Sequence, residues 1–468
     1  MRRSAAPARR EVIDSCHLYC KADPVTAQKP ADFAADSDVG GDAEAPEDTA
    51  REASLWRDAN FGVFWTAQSL SQLGAQLGQL AFPVLAVTLL RATEFEVGIL
   101  NAAGLAAFLL VGLPAGAWVD RWLKRRTMIL ADLVRMVAIS AVPLLWWAGA
   151  LQVWHLYVIS AVVGVATVFF DVSYQSFVPL LVPARHVGEA NSKLEATAQI
   201  ARIGGPAAGG ALLAVVTAPV LFIGQSVGYL LSAVFLTRTR DREEPRPARE
   251  HGSLGTEIRE GLSFVVRHEL IRRVVLCTAG MNFASMLVFT LLPVLVLRQL
   301  GLGPQGMGII MSVGAAGGLL GAVSGPWLAR RIGEGRVIPA GALLGSLALV
   351  LVPVAALQTE PGNALVLLTI SEFGTTFGAL VYNIMQLTMR QRVCPPRLLG
   401  RMNASVRCVV WGVMPVAALI GGFLGESIGM VPAMWLGAAL SLLSVAPVLF
   451  SPLMSMRKLP DSVEEPAS

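Results

Sequence analysis

Charge is what this sequence is short of. Asp, Glu, Lys and Arg make up 15% of its 468 residues, against 54% hydrophobic side chains; a soluble domain carries roughly 25% charged residues. A chain so poor in charge cannot cover an ordinary globular core with wettable surface, and its mean hydropathy is positive over the full length. Many membrane spans are expected, not one anchor. Histidine is scarce too, with five residues, all in the N-terminal stretch, in connections or at span ends. Cysteine is equally rare, at Cys16, Cys20, Cys277, Cys394 and Cys408. Three of these lie in or beside apolar segments, which argues against a disulfide framework. Cys16, His17 and Cys20 are half a metal set with no second cluster, so no metal and no cofactor is expected. The Gly-x-x-x-x-Gly-Lys-Ser/Thr pattern that cradles phosphate is missing, which removes ATP as a direct power source. With no nucleophile–base pair standing out, an enzyme is not expected, and nothing points to nucleic acid.

What is present is a series of long apolar runs. Crossing ~30 Å of hydrocarbon takes ~20 mostly apolar residues in a helix, and bare strand edges cannot survive there. Runs of that length fall near 60–89, 96–119, 127–149, 154–182, 193–215 and 219–237, then 271–298, 305–329, 337–357, 362–389, 403–426 and 430–452. None alternates as barrel strands would. The expected fold is an all-α polytopic membrane protein, twelve transmembrane helices in two six-helix bundles related by pseudo-two-fold symmetry. Residues 1–55, rich in Ala, Asp, Glu and Pro without an apolar run, read as a disordered cytoplasmic tail. Residues 56–237 are the first bundle and 270–452 the second, with 453–468 a cytoplasmic tail. Between the bundles, 238–269 is a linker ending in an amphipathic helix, with Leu254, Ile258, Leu262 and Val265 on one face.

Basic residues fix the orientation. Arg121, Lys124, Arg125 and Arg126 follow the second span, Arg330, Arg331 and Arg336 the eighth, and Arg390, Arg392, Arg397 and Arg401 the tenth. The opposite connections, around Ala150–Val153 and Thr217–Pro219, are short and almost bare. The positive-inside rule puts these basic loops and both termini in the cytoplasm.

The halves repeat. Pro183, Arg185, Gly188 and Asn191 recur as Pro395, Arg397, Gly400 and Asn403, a shift of 212 (395 − 183). The same shift carries Gly209-Gly210 onto Gly421-Gly422 and Asp171 onto Asn383, while Gly116 and Arg121 return as Gly325 and Arg330. Six spans repeated in the same orientation is the parallel-repeat plan of secondary transporters.

Two motifs sharpen this. The first is Gly116-Ala-Trp-Val-Asp120-Arg121-Trp-Leu-Lys124-Arg125-Arg126, in the connection after the second span. The second is Gly205-Pro206-Ala-Ala-Gly209-Gly210 in the fifth span, where glycine allows close helix packing and proline a bend. On these residues the chain, from roughly Trp56 to its end, resembles the major facilitator superfamily. Within it, the chain is similar to the drug:proton antiporter group that includes macrolide-efflux and enterobactin-exporter types. The resemblance implies that Asp120 faces the start of the eleventh span, near Arg401–Asn403, where the helix dipole favours it. The family's glycine after the Asp-Arg pair is Leu123 here, and the second-half copy has Ala329 in place of the aspartate, so the latch is one-sided. The resemblance also implies that the fifth-span motif marks an exporter; ordinary small-residue packing is the alternative reading. Glu260-Gly261-Leu262 and the Asp132–Arg135 pair in span three resemble the same group.

An ionised residue at mid-bilayer costs at least ~2.5–3.5 kcal/mol, so each such residue needs a reason. With histidine absent from the span centres, a proton carrier there must be a carboxylate. Asp132, Glu195 and Glu426 read as span-end residues, leaving Asp171 and Glu372 as the coupling candidates. Asp171 could instead be a structural partner of Arg121 or Arg202, and Glu372 could hold a cationic cargo. Arg202 reads as the single cation near a span centre, either paired with Asp171 or holding an anionic group of the cargo. Gln68, Gln72, Gln76 and Gln79 stripe one side of the first span, and Thr278, Asn282 and Ser285 form a similar row in the seventh. Lining of a central cavity and interhelical hydrogen bonding both fit these stripes. Tyr382, Asn383, Gln386, Phe169 and Phe170 are further lining candidates. Trp118, Trp122, Trp146, Trp147 and Trp154 read as interfacial anchors.

The expected function is proton-coupled export of small amphipathic molecules such as antibiotics, secondary metabolites or siderophores by alternating access, from a monomer in a bacterial inner membrane. Its partners are then a small-molecule substrate, protons and the lipid bilayer. The alternatives are a proton-coupled nutrient importer and a receptor or assembly subunit that uses the same fold without flux.

Overall fold

The structure, a computed structural model, describes residue 55 and residues 58–240 and 262–459, without the side chains of residues 113, 114, 116, 117, 120, 121, 184, 396 and 397. The expected N-terminal tail with Cys16, His17 and Cys20, the linker residues Leu254, Ile258 and Glu260, the surroundings of Gly116 and the side chains of Asp120, Arg121 and Arg397 therefore lie outside what is described. Every regular element among the described residues is helical.

Among the described residues, twelve long helices follow one another. In the first half they are α1 (Ala59–Val84), α2 (Glu94–Arg121), α3 (Lys124–Trp147), α4 (Val153–Leu181), α5 (Val187–Leu212) and α6 (Ala218–Arg238). In the second they are α7 (Glu269–Val294), α8 (Gly303–Ile332), α9 (Glu334–Leu349, continued by Leu351–Ala355), α10 (Pro361–Val393), α11 (Pro396–Ser427) and α12 (Met430–Leu449). Their starts are locally encoded. Asp58 accepts the Asn60 amide at 2.8 Å to cap α1, and Thr93 and Glu96 form a reciprocal capping box at α2. Eleven of the twelve are long and apolar enough to cross a membrane on length and composition alone. The remaining one, α5, carries Glu189, Lys193, Glu195 and Arg202, yet it packs within the array like the others.

Packing follows the repeat. In the first half α1 lies against α5 and α6, α2 against α4, and α3 against α4 and α6. In the second half α7 lies against α11 and α12, α8 against α10, and α9 against α10 and α12. The halves meet along two crossings that are each other's image, α2 on α11 and α5 on α8. This is the two-bundle arrangement expected from the sequence.

A finer repeat appears at the ends of α1 and α7. Each helix widens there into a π-helical turn, Leu85–Leu89 and Leu295–Gln299, two residues after Pro83 and Pro293. The Leu90 amide bonds the Leu85 carbonyl at 3.1 Å, and Leu300 bonds Leu295 at 2.9 Å. Next, Arg91 and Gly301 both take positive φ, 52° and 61°. All these pairs are separated by 210 residues (293 − 83).

The chain beyond α12 turns back onto α9. The Glu334 carboxylate accepts the Leu459 amide and an Arg392 guanidinium N–H, each at 3.0 Å, and Arg336 donates to the Met454 carbonyl. Residues 453–459, expected only as the start of a tail, are tied down by these bonds.

Candidate functional site

The glycines of α5 bring three helices together. A Cβ on Gly209 would meet Leu80 of α1 at 3.2 Å, and one on Gly205 would strike Gln76. One position on, Gly210 faces α8 and leaves only 2.9 Å from its ideal Cβ position to the Pro304 carbonyl. Gly308 of α8 answers it, pressed against the Pro206 carbonyl and Gly210. The segment Gly205-Pro206-Ala-Ala-Gly209-Gly210 is thus one face toward α1 and another across the divide between the halves. The α2–α11 crossing is built alike, from Gly98 against Ala418 and Gly422, and Glu94 against Gly422 and Gly425.

Polar contacts join the same end of the molecule. Arg298, on the π turn after α7, donates to the Ala92 carbonyl at 2.7 Å and lies 3.7 Å from Glu94. Thr93 donates to Glu426 of α11 at 3.3 Å. Arg298 was not singled out from the sequence, because it sits where a span-end cation is ordinary.

Further along α2 and α11 lies a cavity of about 320 Å³ between α2, α4 and α11, lined by Phe108, Asp171, Gln175, Arg407, Cys408 and Trp411 among others. Phe108 and Trp411 meet across the halves with ring centroids 5.3 Å apart, and the Arg407 guanidinium stands 5.8 Å from the Trp411 ring. Asp171 and Arg407 thus sit on opposite walls, one from each half, and neither has a hydrogen bond or ion pair with another described residue. The expected Asp171–Arg202 pair does not form. Arg202 is exposed on α5, one turn from Pro206. Nor is Arg202 the single cation deep in a span. The eleventh helix begins at Pro396, seven residues before the expected 403 (403 − 396), so Arg407 lies three turns in rather than one. That early start is the signal that sequence reasoning missed.

Asp132 is likewise not a span-end residue. It is fully buried in α3, accepts the Ser232 hydroxyl of α6 at 2.6 Å, and pairs with Arg135. The Arg135 guanidinium, 4% exposed, lies between the rings of Phe170 and Tyr229 at 4.2 and 4.5 Å. Two charges that answer one another, with aromatic faces around the cation, form an internal pair, although the Arg135 Nε has no hydrogen-bond partner among the described residues. Phe170 is therefore part of this packing and not a cavity wall.

Glu372 lies well inside α10, half-buried, with its side chain against Gly314 of α8. Its neighbour Thr376 donates to the Gly314 carbonyl, at 2.6 Å. Gly317 and Gly321 then bring the α8 backbone against Phe373 and Phe377, so a row of glycines seats this face of α10. No ion pair to Glu372 is formed among the described residues. Glu372 and Asp171 lie in opposite halves and are not brought together.

The polar stripes divide. Gln68 is buried, 6% exposed, while Gln72 and Gln76 are half-buried and Gln79 is exposed. Asn282 donates to the Val410 carbonyl of α11 at 3.3 Å. Tyr382, 2% exposed, bonds Thr278 at 2.7 Å and donates to the Val274 carbonyl, so it ties α10 to α7 and does not line a cavity. Asn383 is exposed and accepts from Gln386. In the basic loops, Lys124 donates to the Trp122 carbonyl and Arg125 to Thr239. The Gly325 and Arg330 pair lies on α8, with Gly325 buried against α10.

Known proteins share this architecture. A family model described as the Major Facilitator Superfamily matches residues 60–417. Over 382 residues the chain is 27% identical to the uncharacterized MFS-type transporter YfiS of Bacillus subtilis, covering 81% of this chain and 87% of that one. It is 24% identical over 381 residues to the multidrug efflux pump Tap of Mycobacterium tuberculosis, covering 78% and 86%. Among solved structures, a bacterial homologue of the iron transporter ferroportin in an inward-facing state superposes with a TM-score of 0.66 at 16% identity, covering 83% of this chain and 98% of the other.

Proposed function

The chain belongs to the Major Facilitator Superfamily, a multi-pass membrane transporter of small molecules, and on that premise we propose that it exports amphipathic compounds in exchange for protons. The reading rests chiefly on Glu372, a carboxyl deep in α10 with no cation paired to it among the described residues. An ionised residue there costs at least ~2.5–3.5 kcal/mol, and a proton that neutralises it offsets that cost. In this reading Glu372 takes a proton when its side of the bundle is wet and returns it after the halves have rocked.

Asp171 and Arg407 are the proposed cargo contacts, one from each half, with Phe108 and Trp411 supplying an apolar wall. A molecule with an apolar body and a charged group suits such a cavity. Export as the direction draws support from the glycine-rich segment of α5 and from the similarity to a protein named as a multidrug efflux pump. The proposed setting is a bacterial inner membrane with both termini cytoplasmic and the chain monomeric.

Inverted membrane vesicles with an imposed pH gradient and ethidium as the reporter cargo test this reading. Wild-type protein should accumulate the dye when the vesicle interior is acidic, and collapse of the gradient should abolish it. Glu372→Gln should lower gradient-driven accumulation at least tenfold while leaving dye binding within about twofold. Accumulation that ignores the gradient and survives the substitution would sink proton coupling.

A further inference from the structure

An apolar groove runs along the outer face of the first bundle, floored by α4 and walled by α3 and the end of α2. Its first part encloses about 830 Å³ and is lined by Trp122, Arg126, Leu130, Val134, Ala161 and Phe169 among others. A second part of about 470 Å³ shares Val134 and Val162 and continues past Val137 and Val158. Ala161 and Ala166 keep the floor open between the larger Val162, Val165 and Phe169. From Arg126 to Val134 the helix rises ~12 Å, close to half of the ~30 Å hydrocarbon core and so to the depth of one leaflet.

One end of the groove is polar. Lys124, Arg125 and Arg126 are consecutive, yet they do different things. Lys124 donates to the Trp122 carbonyl and Arg125 to the Thr239 carbonyl. Arg126 is exposed, lines the groove, and has no hydrogen bond or ion pair with another described residue. Beside it Trp118, Trp122 and Phe169 stack, with centroid separations of 6.4, 6.0 and 5.7 Å. Tryptophan gathers at headgroup depth, and a free guanidinium at that depth binds phosphate oxygens in bidentate fashion.

We propose that this groove holds one anionic phospholipid, its phosphate on Arg126 and an acyl chain along α3 and α4. Any lipid would wet the apolar walls, but the unpaired cation at the mouth selects for net negative charge. Basic pockets between transmembrane helices bind such headgroups by the same combination. The site lies outside the cavity between the halves and does not depend on which cargo moves or in which direction.

Native mass spectrometry of the detergent-purified full chain decides the matter, with dioleoyl phosphatidylglycerol and dioleoyl phosphatidylcholine at equal concentration. Wild-type protein should retain one phosphatidylglycerol at least tenfold more than phosphatidylcholine. Arg126→Gln should bring that preference close to one, and Arg126→Lys should keep most of it. Ala161→Phe, which fills the floor and leaves the charge, should lower retention of both lipids about fivefold or more. Equal retention of the two lipids by wild type overturns the proposal, as does an unchanged preference in Arg126→Gln. Should that variant not fold, undiminished phosphatidylglycerol retention by Ala161→Phe overturns it equally. A protein dimer that added lipid does not dissociate would assign the groove to a second copy and reject a lipid occupant.

Discussion

Arg135 holds its guanidinium between two aromatic rings, with Asp132 beside it and Ser232 on the far carboxylate oxygen. Removing one member of such a buried pair leaves the other uncompensated, at a cost of about 3–5 kcal/mol, whereas replacing both with apolar residues is often near neutral. Asp132→Ala should therefore lower the thermal stability of the purified protein steeply, and Asp132→Leu with Arg135→Met should recover most of the loss. A melting curve for Asp132→Ala that overlays wild type would show that the pair carries little. The pair itself is legible in the sequence, because a spacing of three sets two side chains on one helix face. Its depth is not, since depth depends on where α3 begins. The same reason hides Arg407. Asp171 stands out as a carboxyl in an apolar run, but the residue across the cavity is recognised only once α11 is known to start at Pro396. Tyr382 errs in the other direction. A polar ring in a cavity-lining span suggests a ligand contact, and only the fold reveals that its hydroxyl is already bonded to Thr278 and to the Val274 carbonyl.

At the level of elements, the α2–α11 crossing depends on backbone meeting backbone. An ideal Cβ on Gly98 would sit 2.7 Å from the Ala418 carbonyl and 3.1 Å from the Gly422 Cα, and backbone atoms cannot rotate aside as a side-chain tip could. Gly98→Val should force the halves apart at this end. Spin labels on cysteines at Ala150 and Thr359, in loops of opposite halves near that end, should show a longer mean separation in the valine variant, by several ångströms. An unchanged distance distribution would mean that the crossing does not set the closure. Glycine pairs of this kind are visible in sequence only as small-residue runs, and which run meets which is a property of the assembled bundles. The helices themselves are legible because the membrane demands length, and length is read directly from apolar runs. Even α5, with its four charges, is placed by the repeat. The π turns of α1 and α7 leave no residue signature beyond Pro83 and Pro293, because a hydrogen bond reaching back five residues rather than four is a change of geometry and not of composition.

For the whole molecule, twelve spans put successive connections on alternate faces of the bilayer. A cysteine at Arg126 and one at Arg336 should react with impermeant maleimide from one side, and cysteines at Gln152 and Thr359 from the other. Labelling of Arg126→Cys and Gln152→Cys from the same side of sealed vesicles would break the twelve-span path. Overall architecture was the most legible property, since duplication writes each half twice and any one match supports the rest. The matching widened turns, 210 residues apart, end equivalent helices of the two halves. Deleting one residue from Leu295–Gln299 alone would tighten one turn and not its counterpart, and would rotate Arg298 away from the Ala92 carbonyl that it holds in the other half.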